Sequence, residues 1–93
     1  MIKSFKDKDA EILFQGVSVK PYKSFERQAL RRLSYLHAAV RLEDLVLPPS
    51  NRLEQLTGNR KESYSLRINK QWRVCFKWRE GHAEDVEIVD YHK

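Results

Sequence analysis

The stretch YSLRINKQWRVCFKWR, residues 64–79, decides how this chain folds. Its apolar side chains recur at every second position, first Tyr64, Leu66 and Ile68, then Trp72, Val74, Phe76 and Trp78. A period of two marks a half-buried strand, because successive side chains leave opposite faces of an extended backbone. Asn69, Lys70 and Gln71 break the pattern and suit a turn, so the segment predicts a hairpin. With the apolar residues on one face, Ile68 lies opposite Trp72, Leu66 opposite Val74 and Tyr64 opposite Phe76. The polar faces then coincide as well, and Arg67 stands directly across from Arg73.

Downstream, Glu80, Gly81 and His82 form a second turn. Val86, Ile88 and Asp90 then alternate with Glu87, Val89 and Tyr91, which predicts a third strand. This hairpin sets Val89 beside Arg73, Glu87 opposite Cys75 and Tyr91 one step further along the polar face, while Asp90 points with Trp72. Trp72, Phe76, Trp78 and Tyr64 are expected in the core, against the rival idea that they stack RNA bases.

Upstream, Ile2 to Phe5 reads as a short strand. Lys6 to Gln15 reads as a helix with Ala10, Leu13 and Phe14 on one face, ended by Gly16. Ser24 is the expected N-cap of the main helix, in which Phe25, Ala29, Leu33, Leu36 and Val40 recur at helical spacing for about four turns. Lys23, Arg27, Arg31 and Arg41 fall on its other side, a solvated face or one turned to RNA or a partner. Pro48 and Pro49 stop any helix arriving from Leu45, and residues 50–58 hold at most one helical turn around Leu53 and Leu56. The chain is therefore expected to be one α+β domain over residues 1–93: a short N-terminal strand, two helices, then an antiparallel three-stranded meander with the helices packed on one face.

A chain of 93 residues closes about one core, so any chemistry sits on an open face and not in a deep cavity. Cys75 is the only cysteine, which rules out an internal disulfide framework and fits a reducing compartment. No run approaches the roughly 20 apolar residues of a membrane span, and the opening residues lack the apolar stretch of a signal peptide. A cytoplasmic protein without membrane attachment is expected. Eighteen Lys and Arg against 13 Asp and Glu leave a net charge of +5, which favours polyanionic partners. The excess is concentrated: residues 51–79 hold eight basic side chains against Glu54 and Glu62, whereas residues 80–93 hold five acids against Lys93.

Like charges directly opposite on a sheet cost a few tenths to about 1 kcal/mol. A phosphate would offset that cost for Arg67 and Arg73, since guanidinium groups match its oxygens bidentately. The alternative is a pair of splayed, solvated arginines that guard the strand against edge pairing. His92, one residue beyond the third strand, can reach the rim of the same face, and histidine is the side chain type suited to proton transfer at neutral pH. His37 and His82 lack such company. Metal-free RNA cleavage needs a base for the ribose 2′-hydroxyl, cations for the phosphorane-like transition state and an acid for the leaving oxygen. His92, Arg67 and Arg73 supply the first two. No cofactor is expected, and no metal, because divalent ions in nuclease sites want clustered carboxylates.

The runs PPSNRLEQLTGNR (48–60), YSLRINKQWRVCF (64–76) and VEIVDYH (86–92), with the opening IKSF, resemble the HigB toxins of the RelE superfamily. The W-R-x-x-F and D-Y-H motifs at this spacing are the specific part. The resemblance implies a RelE-like fold, ribosome-dependent cleavage of messenger RNA, and a cognate HigA-like helix-turn-helix antitoxin through which alone operon DNA is met. It implies that Arg73 faces the scissile phosphate, that His92 is catalytic, and that Tyr91 positions the RNA. Arg52, Arg60, Lys77 and Arg79 are the expected RNA-backbone contacts. Some relatives carry a histidine and a lysine before G-x-R, where this chain reads Arg52 to Gly58 with neither, which leaves the general acid unassigned and suggests a milder toxin. One other activity fits the same basic sheet, translation arrest by RNA or ribosome binding without cleavage, and the resemblance to the superfamily implies a further alternative, inhibition of gyrase.

Overall fold

A computed structural model describes residues 1–56 and 62–91. Helix α1 spans Lys8–Phe14 and helix α2 Glu26–Ala38. Four antiparallel strands follow, β1 Glu54–Gln55, β2 Ser63–Arg67, β3 Trp72–Arg79 and β4 His82–Asp90, side by side in that order. Three short 3-10 turns join these parts, at Lys20–Phe25, Leu42–Leu45 and Pro49–Asn51.

The central register is the one that side-chain parity demands. Tyr64 pairs with Phe76, Leu66 with Val74 and Arg67 with Arg73, and β4 sets Val89 against Arg73 and Glu87 against Cys75. Leu66, Val74, Phe76 and Ile88 bury their side chains with Ala29, Leu33 and Leu36 of α2 and Ala10 and Leu13 of α1. Burial on one face of the sheet thus fixes the register, since a slip of one residue would move the whole apolar set to the other side. Trp72 stacks on Phe25 at 5.0 Å between ring centroids, and Tyr64, Trp72 and Trp78 all pack against this core.

Several boundaries differ from those expected. The N-terminal segment makes only two isolated bridges, Ile2 to Ala83 and Phe5 to Val86, and both run parallel to β4. The reason is a bulge. Register shifts between Cys75 and Lys77, Asp85 takes a left-handed φ of 52°, and its N–H turns to the Ser4 hydroxyl at 2.9 Å. The bulge also lets β4 begin at His82, four residues before the alternation seen in the sequence; a two-residue turn at Glu80 and Gly81, both at positive φ, precedes it. Ser24 caps no helix, because Pro21 opens a 3-10 turn that carries the chain through Phe25. α2 ends at Ala38, so Val40 is 73% exposed and not part of the core stripe, and Arg41 lies beyond the helix beside Glu43. β1 was not expected; it covers the outer edge of β2 only at Ser65 and Tyr64.

Candidate functional site

The face of the sheet turned from the helices carries, from its middle to its rim, Ser65, Cys75, Arg73, Arg67 and Tyr91. Arg73 is only 8% exposed. Its Nε donates to Ser65 Oγ at 2.7 Å, and its Nη2 donates to the Arg52 carbonyl at 2.6 Å and, more weakly, to the Ser65 carbonyl at 3.4 Å. Glu54 Oε1 stands 3.7 Å from the same Nη2. Three elements therefore aim one guanidinium: β3 carries it, β2 holds its root and the loop before β1 holds its tip. Among the described residues nothing accepts from Nη1, so the held fork keeps one donor edge for a ligand.

Tyr91 follows β4 and brings its ring under this guanidinium, with Arg73 Cζ 5.9 Å from the ring centroid. Its hydroxyl lies 3.8 Å from Cys75 Sγ. The tyrosine is 37% exposed, so the pair forms an open wall and not a closed pocket. Asp90, opposite Trp72, accepts from the Gln71 side chain at 3.1 Å and stays out of this group.

The opposition of Arg67 and Arg73 holds at the backbone but not at the side-chain tips. Arg73 reaches toward Ser65 and Arg52, whereas Arg67 Nε donates to the Asn69 carbonyl at 3.2 Å. The like charges relax by diverging. Of the expected RNA-backbone contacts, Arg52 is exposed, with a left-handed φ of 44° and its carbonyl engaged by Arg73. Lys77 and Arg79 are instead ion-paired, Lys77 with Asp85 at 3.5 Å and Arg79 with Glu62 at 3.1 Å and Glu84 at 3.7 Å. A groove of about 380 Å³ runs past Lys77, Cys75, Glu87 and Lys6, but Glu87 pairs with Lys6 at 3.7 Å and its charges largely cancel. Arg60 and His92 lie outside the described residues.

Three contributors escaped the sequence. Ser65 meets Arg73 across the β2–β3 pairing, and Glu54 does so from a two-residue edge strand that has no hydrophobic period to announce it. Arg32 sits among the buried residues of α2, and its place three residues after Ala29 and four before Leu36 was the available signal. Among the described residues no group of three or more His, Cys, Asp or Glu is placed to hold a metal ion, and no helix is long and apolar enough to cross a membrane.

Residues 3–92 match the family model described as the RelE-like toxin of the type II toxin-antitoxin system HigB. Toxin HigB-1 of Vibrio cholerae serotype O1 is 44% identical over 70 residues, covering 75% of this chain and 73% of that protein. Endoribonuclease HigB of Proteus vulgaris is 34% identical across 99% of this chain and all of its own length. In fold, the chain is similar to YafQ of E. coli at a TM-score of 0.59, with 15% identity over 97% of this chain and 93% of that one. It is also similar to a chain of the heterotetrameric YoeB-YefM toxin-antitoxin complex of Staphylococcus aureus, at a TM-score of 0.61 with 17% identity over 100% and 99% of the two chains. On the full-length family match and these relatives, the chain belongs to the HigB-like toxins, RelE-like toxins of type II toxin-antitoxin systems.

Proposed function

We propose that this toxin is a ribosome-dependent, metal-independent endoribonuclease that cuts messenger RNA and so arrests translation, and that a cognate HigA-like helix-turn-helix antitoxin neutralises it. The observation that carries this reading is the arrangement at Arg73: a buried guanidinium fixed by Ser65 and Arg52, with no acceptor at Nη1 among the described residues and an aromatic wall at Tyr91. Preorganised donors of this kind stabilise charge that develops in a transition state without reorganising during the reaction.

In the proposed reaction His92 takes the proton of the ribose 2′-hydroxyl. The 2′-oxygen attacks the adjacent phosphorus, the P–O5′ bond breaks, and a proton goes to the leaving 5′-oxygen. The products are a 2′,3′-cyclic phosphate and a 5′-hydroxyl. Arg73 bears the phosphorane charge, Arg67 adds positive charge at the flank, and Tyr91 positions the RNA beside Arg73. Arg52 and Arg60 hold neighbouring backbone, with Lys77 and Arg79 further out. Operon DNA is met only through the antitoxin, and the ribosome supplies the message.

The test is to map 5′ ends of messages in cells and on purified ribosomes after induction. New internal cuts that vanish with Arg73→Ala and fall with His92→Ala support the nuclease. Intact messages on arrested ribosomes would refute it in favour of a non-catalytic binder, and DNA damage would point to gyrase.

A further inference from the structure

The groove beside Arg73 is a polar slot with no net charge. Its floor is Ser63 and Cys75, small side chains buried on the polar face of β2 and β3. Its walls are longer: Lys77 pairs with Asp85 at 3.5 Å, and Lys6 with Glu87 at 3.7 Å. Small residues set among long ones leave a hollow of about 380 Å³. That lies within the range of about 300 to 1,000 Å³ found for small-molecule sites.

One end of the slot is the Arg73 site. Ser63 precedes Ser65, which accepts from Arg73 Nε, by two positions on β2, and Cys75 follows Arg73 by two on β3. Two residues of strand span roughly 7 Å. Tyr91, whose ring lies under the guanidinium, brings its hydroxyl to 3.8 Å from Cys75 Sγ at the floor. A ligand in the slot is therefore a direct neighbour of whatever Arg73 holds.

The lining disfavours a second phosphate. Two carboxylates and two ammonium groups sum to zero, so the slot offers an anion no net attraction. Donors and acceptors side by side suit the edge of a neutral heterocycle instead. The carboxylates also keep acceptors to spare. Lys6 engages Glu87 Oε2 and Lys77 engages Asp85 Oδ2, and the other oxygen of each has no partner among the described residues. Glu87 is the more enclosed of the two, its side chain 22% exposed against 48% for Asp85, and it stands opposite Cys75 at the floor.

We propose that this slot receives the base of a nucleotide next to the phosphate at Arg73, and that Glu87 selects a base bearing an exocyclic amino group, adenine, cytosine or guanine, over uracil. The proposal rests on reading Arg73 as an RNA phosphate site. With the backbone passing Arg52 and Arg73, the base reaches across β3 and its amino group donates to Glu87, as amino groups of bases do to carboxylates elsewhere. Uracil turns its O4 acceptor toward the same carboxylate, so the selection has a repulsive part as well as an attractive one. Glu87 is thus a specificity-determining residue that takes no part in the proton transfers.

Binding of RNA oligomers with a 2′-O-methyl group on every ribose, which cannot be cut by the 2′-oxygen, separates this proposal from cleavage. An oligomer of cytidine and one of uridine, equal in length, carry the same backbone charge. Wild type should bind the cytidine oligomer tighter on the order of 10-fold, as read by fluorescence anisotropy. Glu87→Ala should bring the two affinities together, and because both oligomers feel the same change in protein charge, their ratio isolates the base. Lys6→Ala distinguishes a reader from a holder. If Glu87 served only to hold Lys6, this variant would lose the preference too, whereas removing a donor for uracil O4 should enlarge it. Equal affinities in wild type, a preference that survives Glu87→Ala, or one lost with Lys6→Ala each overturn the proposal. Should Glu87→Ala fail to fold, titration of wild type followed by NMR decides: backbone amide signals of Ser63, Cys75 and Glu87 moving further with the cytidine oligomer support the slot, and unmoved signals overturn it. Uncut ribosome-bound messages alongside a preference that depends on Glu87 would refute the nuclease and leave the slot standing; cut messages alongside equal affinities would do the reverse.

Discussion

Arg73 donates from Nη2 to the backbone oxygen of Arg52 at 2.6 Å, which ties the centre of the sheet to the loop in front of β1. The contact uses the main chain of Arg52 and leaves its side chain exposed. One arginine is therefore a structural anchor and the proposed transition-state donor at once, and its fold and its chemistry cannot be altered separately by simple truncation.

Arg73→Ala should relieve growth inhibition but also lower stability, by about 1 to 3 kcal/mol, because Ser65 Oγ and the Arg52 carbonyl lose a buried charged donor. Arg73→Lys keeps the charge without the planar fork and should stay folded more often while losing most cleavage. Thermal melts run beside cleavage of ribosome-bound message separate the two effects. Full cleavage by the lysine variant would remove Arg73 from the role given to it.

Ser65→Ala gives the cleaner probe of aim. Ser65 is fully buried opposite Cys75 and its hydroxyl accepts from Arg73 Nε, so the change leaves the guanidinium in place but loosens its root. A neutral partner of a charged donor contributes about 1.5 to 3 kcal/mol at most, so cleavage should fall roughly 10-fold or more in kcat with little change in KM. Unchanged kcat would mean that Arg52 and the β3 backbone alone suffice to hold Arg73.

How much of this was legible follows from what each feature depends on. The Arg67–Arg73 opposition was readable because apolar residues on both strands pin the register and parity does the rest. The divergence of their tips was not, since it depends on Ser65, the Arg52 carbonyl and the Asn69 carbonyl, none of which carries a period. Tyr91 was placed correctly on the polar face by counting from Val89. The early start of β4 was hidden by the bulge at Asp85, which shifts parity by one and makes Ala83 and Val86 share a face although three residues apart. Arg32 was missed because a basic residue on a helix is first read as solvated, even at a spacing that puts it inside.

The turn after α2 should loosen in acid. Backbone N–H groups of Arg41 and Val40 both donate to Asp44 Oδ2 at 2.9 Å, and these bonds hold its carboxyl below the usual carboxylate range. A depressed folded pKa means stabilisation that is present above the unfolded value of about 3.9 and lost as pH falls through the folded one. Asp44→Asn should therefore destabilise at pH 7, with the gap to wild type closing as pH drops below about 4. Melts that differ equally at pH 7 and in strong acid would show that the carboxylate charge is irrelevant there.

The basic residues of the sheet should contribute unequally to RNA binding. Arg79 lies between Glu62 and Glu84, and Lys77 faces Asp85, so each would exchange an existing ion pair for a phosphate. Arg52 is exposed and in no ion pair among the described residues, and would gain a phosphate without losing a partner. Each phosphate contact on a single strand contributes about 0.7 to the slope of log affinity against log salt. Arg52→Ala should remove about that much, and Lys77→Ala or Arg79→Ala clearly less, when binding to an RNA oligonucleotide 2′-O-methylated on every ribose, and so resistant to cleavage by the 2′-oxygen, is followed by fluorescence anisotropy over a range of salt. If Arg79→Ala flattens the slope as much as Arg52→Ala, the carboxylates are not competing for it, and RNA must run along the β3–β4 hairpin and not past the β1 loop.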